Sequence, residues 1–528
     1  MSNHAYESAA ALRPSSNGPI PISTLCERFS LAPASAEDAA ALNDLSILGV
    51  SVDSADTAPG ELFVGLPGFT VHGARFAAQA VASGAVAVLT DADGAQIVRQ
   101  TAPGTPTLVH SDPRAVVGPL SAEVYHHPAR GLVTTAVTGT NGKTTTAYFL
   151  DAILSAHVGG CMVAGTVELR VGERSVESPR TTVEAPVLQR MMALAVEDKV
   201  GAASLEASSH AIVLHRLDGI VVDVAGFTNL QRDHLDFHKT MEGYLEAKAQ
   251  LFTPEHARRG VVCVDDQWGA TLAAEAPIEI DRVRAYPGDT PADWWVSDAA
   301  VSLTDSATTF TLHGPDGEKI EASCPLPGLV NVQNAALALV MAIRAGVPAA
   351  TAATALAGAH NIPGRMQRIS QRDGRRGLCI VDFAHTPDAM ELALKAVRPI
   401  TPGRLIVVFG SDGDRDQGKR PMLGEVCARL ADVLVVTDEN PRSEDPQLIR
   451  NAILEGVRGV RPDLTDVEEI TTWRGDAVRR GVELCGPDDT VIVTGKGHEP
   501  FLEMAGEFIR YNDAPVMAEA IEEKWGRA

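Results

Sequence analysis

The sequence predicts an α/β protein of three domains, the central and last of them built on mostly parallel sheets. Three observations carry this. The chain has 528 residues, which at roughly 100–200 residues per domain points to about three. Its strand-like runs are short and continuously apolar, as in strands buried on both faces. Those runs alternate with stretches at helical spacing, the pattern of doubly wound sheets.

Residues 1–19, rich in Ser, Ala and Asn, read as a loose leader. Residues 20–130 form a small α/β domain, with apolar runs at 61–66 and 85–89 and helical spacing over 74–83. The second block, 131–360, opens on the apolar run 132–138, breaks at a Gly-rich loop and continues with a helical pattern over 146–156. Its further strand-like runs, 202–205 and 220–227, end in polar clusters, and ligands of parallel sheets collect at strand C-termini. The third block, 361–528, has strand candidates at 378–383, 405–409, 433–437 and 490–494. Each leads into a loop dense in Asp, Arg, Lys or His, as in a second, Rossmann-like unit.

With 45% hydrophobic and 21% charged residues, the chain has the make-up of a folded protein. A net charge of −23 argues against non-specific binding to nucleic acid or an anionic membrane. Seven scattered cysteines without a CxxC pair fit reduced thiols in a cytoplasm. No secretory signal and no bilayer-spanning apolar run are visible, so a cytoplasmic protein, acting as a monomer, is expected.

The strongest local signal is Gly139-Thr140-Asn141-Gly142-Lys143-Thr144 between a strand and a helix. Its glycines let backbone N–H groups approach phosphate, Lys143 can reach the β/γ-phosphates, and Thr144 can hold Mg²⁺. Val137 occupies the first Gly position of the strict phosphate-loop pattern. A plain glycine turn is the bland alternative, and the flanking strand and helix weigh against it. Glu206 and the group Asn229, Asp233 and His234 follow two further apolar runs. A carboxylate so placed can coordinate Mg²⁺, although each residue alone is more often a loop residue that caps a helix or bonds to backbone; two such clusters at strand ends shift the balance toward metal and phosphate. Lys248, in the helical stretch 240–252, reads from its spacing as a solvated surface lysine.

Together with the loop 139–145, the clusters 206–210 and 229–238, and Asn331-Val332-Gln333-Asn334, Pro363-Gly364-Arg365-Met366, Asp382–Pro387, Gly413–Pro421 and Gly495–Glu499, the chain resembles the Mur ligase family over nearly its whole length. The segment Glu439-Asn440-Pro441-Arg442 resembles the Asp-Asn-Pro-Arg motif of its diaminopimelate-adding members. Diaminopimelate carries one carboxylate more than lysine, and a guanidinium fork binds a carboxylate bidentately.

The resemblance implies a UDP-binding N-terminal domain, a central P-loop ATPase domain and an amino-acid-binding C-terminal domain. It implies that Gly139, Thr140, Asn141, Gly142, Lys143, Thr144, Thr145, Asn334, Arg365 and His385 serve ATP. Thr144, Glu206, His234 and a carbamylated Lys248 would hold Mg²⁺, with Lys143, Glu206, His234 and Lys248 as the catalytic set. Asp53 and Ser54 would take the uridine-diphosphate end of the UDP-muramyl dipeptide, and Thr181, Thr182, Ser208 and Arg216 its peptide end. Arg420, Asn440, Pro441, Arg442, Gly495 and Glu499 would hold meso-diaminopimelate. The chain departs from the family pattern at Ala55 (usually Arg), Val183 (usually Pro), Leu214, Gln231, Ser411-Asp412 and Glu439 (usually Asp). Rival readings are a lysine-adding or folylpolyglutamate-synthetase-like ligase, disfavoured by Asn440–Arg442, and a regulatory P-loop ATPase, which leaves the third block's cationic clusters without purpose.

Overall fold

The computed structural model describes residues 9–302 and 307–526. They form two compact units. One comprises the chain up to Trp295 with Ala336–Ala355, the other Val296–Ala335 with the chain from Leu356 onward.

Among the described residues the first unit holds a two-stranded pair, Ile20–Pro21 with Ser46–Ile47, and strands of two larger sheets. In the smaller, the order is Ala32–Pro33, Thr107–Val109, Ala87–Thr90, Glu61–Val64, Gly49–Ser51, parallel except for the first pair. In the larger, Val133–Thr138 lies between Ala202–Glu206 and Val222–Phe227, parallel to both. Ala257–Cys263 and Glu279–Arg284 extend it in parallel on one side. Cys161–Ala164 extends it on the other, followed by the antiparallel strands Glu168–Val171 and Arg174–Glu177. Every residue of Ala202–Glu206 is buried, so the continuous apolar run reflects helices on both faces of a parallel sheet.

The leader expectation fails where it can be checked. Residues Ala9–Ala11 form a 3-10 turn, Leu12 is fully buried, and Arg13 pairs with Glu61 and Asp56. Arg190, itself buried, donates to the Ala9 carbonyl at 2.8 Å. Ser, Ala and Asn composition suggested looseness, but one leucine and one arginine with distant partners pin the segment.

In the second unit a six-stranded sheet runs Gln367–Ser370, Leu378–Val381, Thr490–Val493, Leu405–Phe409, Val433–Val436, Val467–Glu469. Only the first pair is antiparallel. Its strand C-termini therefore share one edge, where the loops 382–385, 410–413, 437–442 and 494–499 emerge. Beneath two of these loops lies an ion pair without solvent exposure. Arg474 donates to both Asp513 oxygens at 2.9 and 2.8 Å, to the Asp438 carbonyl at 2.9 Å and to the Thr494 carbonyl at 2.8 Å. Tyr511 donates to Asp513 as well, at 2.9 Å. Removing one partner of such a pair strands a buried charge. Asp513→Ala is therefore expected to lower unfolding free energy by about 3–5 kcal/mol, measured by urea denaturation. A loss below about 1 kcal/mol, the range of a surface pair, would show the arginine satisfied without its carboxylate.

Candidate active site

The loop after Val133–Thr138 is held by its own glycines and by the neighbouring loop. Gly139 sits at φ 144°, and a Cβ there would stand 1.9 Å from Thr228 Oγ1, so only glycine fits. Gly142, at φ 88°, caps the helix Lys143–Val158. The loop after Val222–Phe227 holds it from the side. Thr140 N donates to the Asn229 carbonyl at 2.9 Å and Asn141 N to Asn229 Oδ1 at 3.1 Å, while Thr228 Oγ1 donates to the Asn141 carbonyl at 2.6 Å. Gln231, a departure from the family pattern, accepts from Asn141 Nδ2 at 2.7 Å.

Glu206, the buried last residue of its strand, faces the helix start. Its Oε2 accepts from Thr144 Oγ1 at 3.0 Å and from Thr166 Oγ1 at 2.9 Å, and its Oε1 accepts from Thr166 N at 2.8 Å. The sequence reading missed Thr166; a lone threonine between two strands carries no motif.

Lys248 corrects the surface-lysine reading. It is 1% exposed, its ammonium lies 4.5 Å from the centre of the Tyr244 ring, and Nζ donates to the Gly139 carbonyl at 2.8 Å. The helix Met241–Ala249 buries Tyr244, Leu245, Ala247 and Lys248 together, which turns the lysine inward. Lys143 Nζ reaches the same carbonyl at 3.0 Å and that of Thr140 at 2.9 Å. Burial, and then the nearby Lys143, hold the Lys248 ammonium well below its ordinary value.

Around these lysines gather aromatic rings. His234, in the left-handed region at φ 51°, has its ring 4.9 Å from His210, and His238 stacks on Tyr244 at 4.9 Å. Burial lowers all three histidines, and with His210 and Lys248 nearby His238 falls to about 4.

Thr182, Ser208 and Arg216 form one contact group: Ser208 N donates to Thr182 Oγ1 at 3.0 Å and Arg216 to the Thr182 carbonyl at 3.1 Å. Thr181 accepts from Thr166 Oγ1 at 3.2 Å. Asp53 and Ser54 line a separate cavity of about 680 Å³ in the same unit. Val183 lines it too, while Leu214 caps the helix Ser209–Val213.

The remaining sequence-predicted residues belong to the second unit. Asn334 is buried on the helix Leu329–Arg344. The Arg365 guanidinium lies 4.3 Å from the centre of the Phe383 ring, and His385 Nδ1 donates to the Phe383 carbonyl at 2.9 Å. Burial, then Lys419, lowers His385.

At the strand ends, Asn440 donates to Glu499 Oε2 at 3.1 Å and accepts from Lys496 Nζ at 2.9 Å. Lys496 also donates to Glu499, at 3.1 Å, and has no solvent exposure; the sequence reading quoted its segment without giving it a role. Arg442, at φ 55°, pairs with Glu503 at 3.2 Å and lies 3.9 Å from Asp412. Arg420 forks onto Glu444 at 2.9 and 2.8 Å. Pro441 packs its carbonyl where a Cβ on Gly413 would sit. Gly495 has φ 109°, and a Cβ there would stand 2.5 Å from Glu439 Oε2. Burial, and then Asp412, push the Glu439 carboxyl up to about 8. Two buried hydroxyls beside this group, on Ser411 and Thr437, have no hydrogen-bond partner among the described residues. The arrangement brings half-buried Arg442 and Glu499 to one strand end, backed by the buried Lys496 and Asn440.

Three domain families match in chain order: Mur ligase family, catalytic domain over residues 46–124; Mur ligase middle domain over 137–342; and Mur ligase, glutamate ligase domain over 364–497. The UDP-N-acetylmuramoyl-L-alanyl-D-glutamate–2,6-diaminopimelate ligase of Streptomyces coelicolor is 43% identical over 480 residues, 91% of this chain and 93% of that one. The UDP-N-acetylmuramyl-tripeptide synthetase of Leifsonia xyli is 42% identical over 508 residues, 95% of this chain and 96% of that one. A solved structure of a UDP-N-acetylmuramoyl-L-alanyl-D-glutamate–2,6-diaminopimelate ligase superposes with a TM-score of 0.64 at 31% identity, covering 92% of this chain and 96% of its own. A MurF structure from Acinetobacter baumannii shares the fold, with a TM-score of 0.67 at 19% identity.

Proposed function

The chain belongs to the Mur ligase family, and from that premise we propose that it joins meso-2,6-diaminopimelate to UDP-N-acetylmuramoyl-L-alanyl-D-glutamate with cleavage of ATP to ADP and phosphate. The observation that carries the reading is the strand-end group in which buried Asn440 and Lys496 both bond to half-buried Glu499, while half-buried Arg442 pairs with Glu503 at 3.2 Å. Such a set matches an amino acid bearing both an ammonium and a second carboxylate at its far end.

An amide cannot form from a carboxylate and an amine in water without activation. The ATP γ-phosphoryl group passes to the D-glutamyl side-chain carboxylate, giving an acyl phosphate and ADP. Lys143 and the amides of the loop 139–144 offset the charge that spreads over the phosphate oxygens. The diaminopimelate amine, freed of its proton, then attacks the acyl carbon; phosphate leaves and the amide remains. Thr182, Ser208 and Arg216 would orient the glutamyl end.

Thr144 Oγ1 and Glu206 Oε2, 3.0 Å apart and buried, suit a Mg²⁺ completed by phosphate oxygens and water. His234 and a carbamylated Lys248 would complete the protein's share. Among the described residues no group of three or more His, Cys, Asp or Glu could hold a metal alone, which fits an ion that arrives with nucleotide. When bound, it neutralises charge on the transferring phosphoryl group. A monomer in the reducing cytoplasm suits the seven free thiols.

The test supplies ATP, Mg²⁺ and the UDP-muramyl dipeptide with either meso-diaminopimelate or L-lysine, and follows phosphate release and product mass. Tripeptide formation with diaminopimelate is the expected result. Product from lysine alone would overturn the amino-acid assignment, and ATP hydrolysis indifferent to the muramyl substrate would overturn the ligase.

A further inference from the structure

The cavity of about 680 Å³ in the first unit is lined by Asp53, Ser54 and Ala55 together with Arg114 and Arg180. Ala55 is exposed and occupies the position where the family resemblance places an arginine. We propose that Arg180, backed by Arg114, supplies the guanidinium that position 55 lacks and holds the phosphate-bearing end of the nucleotide sugar. This rests on the reading of the protein as a UDP-muramyl ligase.

Three guanidiniums face one carboxylate beside the cavity. Arg180 and Arg216 each lie 3.0 Å from Glu184, and Arg114 lies 3.9 Å from it. One carboxylate cannot neutralise three guanidiniums, so positive charge is left over. The other carboxylates lining the cavity are Asp56, paired with Arg190 at 2.9 Å and with Arg13, Asp53, whose Oδ1 accepts from the Ala55 amide at 2.9 Å, and Glu177; the excess of guanidinium is local to Glu184. The Arg180 side chain is 49% exposed, so its guanidinium can turn from Glu184 onto a ligand at little conformational cost. A planar fork suits a diphosphate, which accepts two parallel hydrogen bonds.

The experiment compares Arg180→Ala with the double variant Ala55→Arg/Arg180→Ala in steady-state kinetics. Arg180→Ala should raise KM for the UDP-muramyl dipeptide roughly tenfold, the effect of one lost charge-assisted contact. Its KM for ATP and its kcat should stay within about twofold, because uniform binding alone is lost. Adding Ala55→Arg should return KM to near its original value. An unchanged KM in the single variant would overturn the proposal. So would a rise that Ala55→Arg does not reverse, since the guanidinium in the cavity would then not be what matters. Arg180 is half exposed, so folding is not at stake, and equal melting temperatures verify that. If the unaltered protein makes no tripeptide at all, the ligase reading itself fails, a result distinct from either.

Discussion

Lys248→Ala is expected to lower ligase turnover about 10²–10³-fold, the range for removing one preorganised charge-stabilising group, while the protein still folds. The side chain is sealed from solvent, and its Nζ reaches the Gly139 carbonyl of the phosphate loop. Burial disfavours the charged form of this amine, and an uncharged amine can add CO₂, losing a proton to become a carbamate. That converts a buried cation beside a second lysine into an anion suited to Mg²⁺. Lys248→Arg should be as inactive as the alanine variant, because a guanidinium keeps its charge and does not carbamylate. A short carboxylate such as acetate should restore part of the activity of Lys248→Ala by entering the space left behind. Steady-state turnover of the three proteins, with melting temperatures as a folding check, decides the matter. An alanine variant that matches the unaltered enzyme would remove Lys248 from the reaction.

Arg442→Ala is the second large effect. Its guanidinium faces Glu503 and Asp412, at the strand ends that also carry the Asn440–Glu499 pair. Truncating one partner of a desolvated charge contact costs about 2–4 kcal/mol, or roughly 30- to 1,000-fold in kcat/KM for diaminopimelate. L-Lysine has no far carboxylate, so its much weaker use should change little. Arg442→Lys keeps the charge but loses the fork, and should recover only a small part. Equal losses for diaminopimelate and lysine would show that Arg442 holds the loop and does not read the carboxylate.

What the sequence disclosed and what it hid divide by distance along the chain. The loop 139–144 was legible because strand, glycines, lysine and helix follow one another, and local spacing encodes their geometry. Lys248 was not, since the carbonyl it meets lies 109 residues earlier and no periodicity in its own helix records that. The same holds for Arg13, pinned to Glu61, and for Glu184, which gathers arginines from three segments. Asn440 and Arg442 were recognisable only by family resemblance; read by spacing, they sit in a proline-bounded acidic loop. The central parallel strands of both large sheets were legible, since burial on two faces leaves no polar alternation, whereas alternating strands such as Glu168–Val171 and Lys319–Cys324 were not read.

The buried Arg474 has a consequence for how amino-acid preference could be transplanted. It takes the Asp438 and Thr494 carbonyls at once, so the stretches carrying Asn440–Arg442 and Gly495–Glu499 are moored to a single guanidinium beneath the sheet edge. A graft of the four-residue Glu439–Arg442 motif into another scaffold would arrive without its mooring, and the motif's letters would not bring its selectivity along. The transferable unit is the motif, the opposite loop and the arginine below them together.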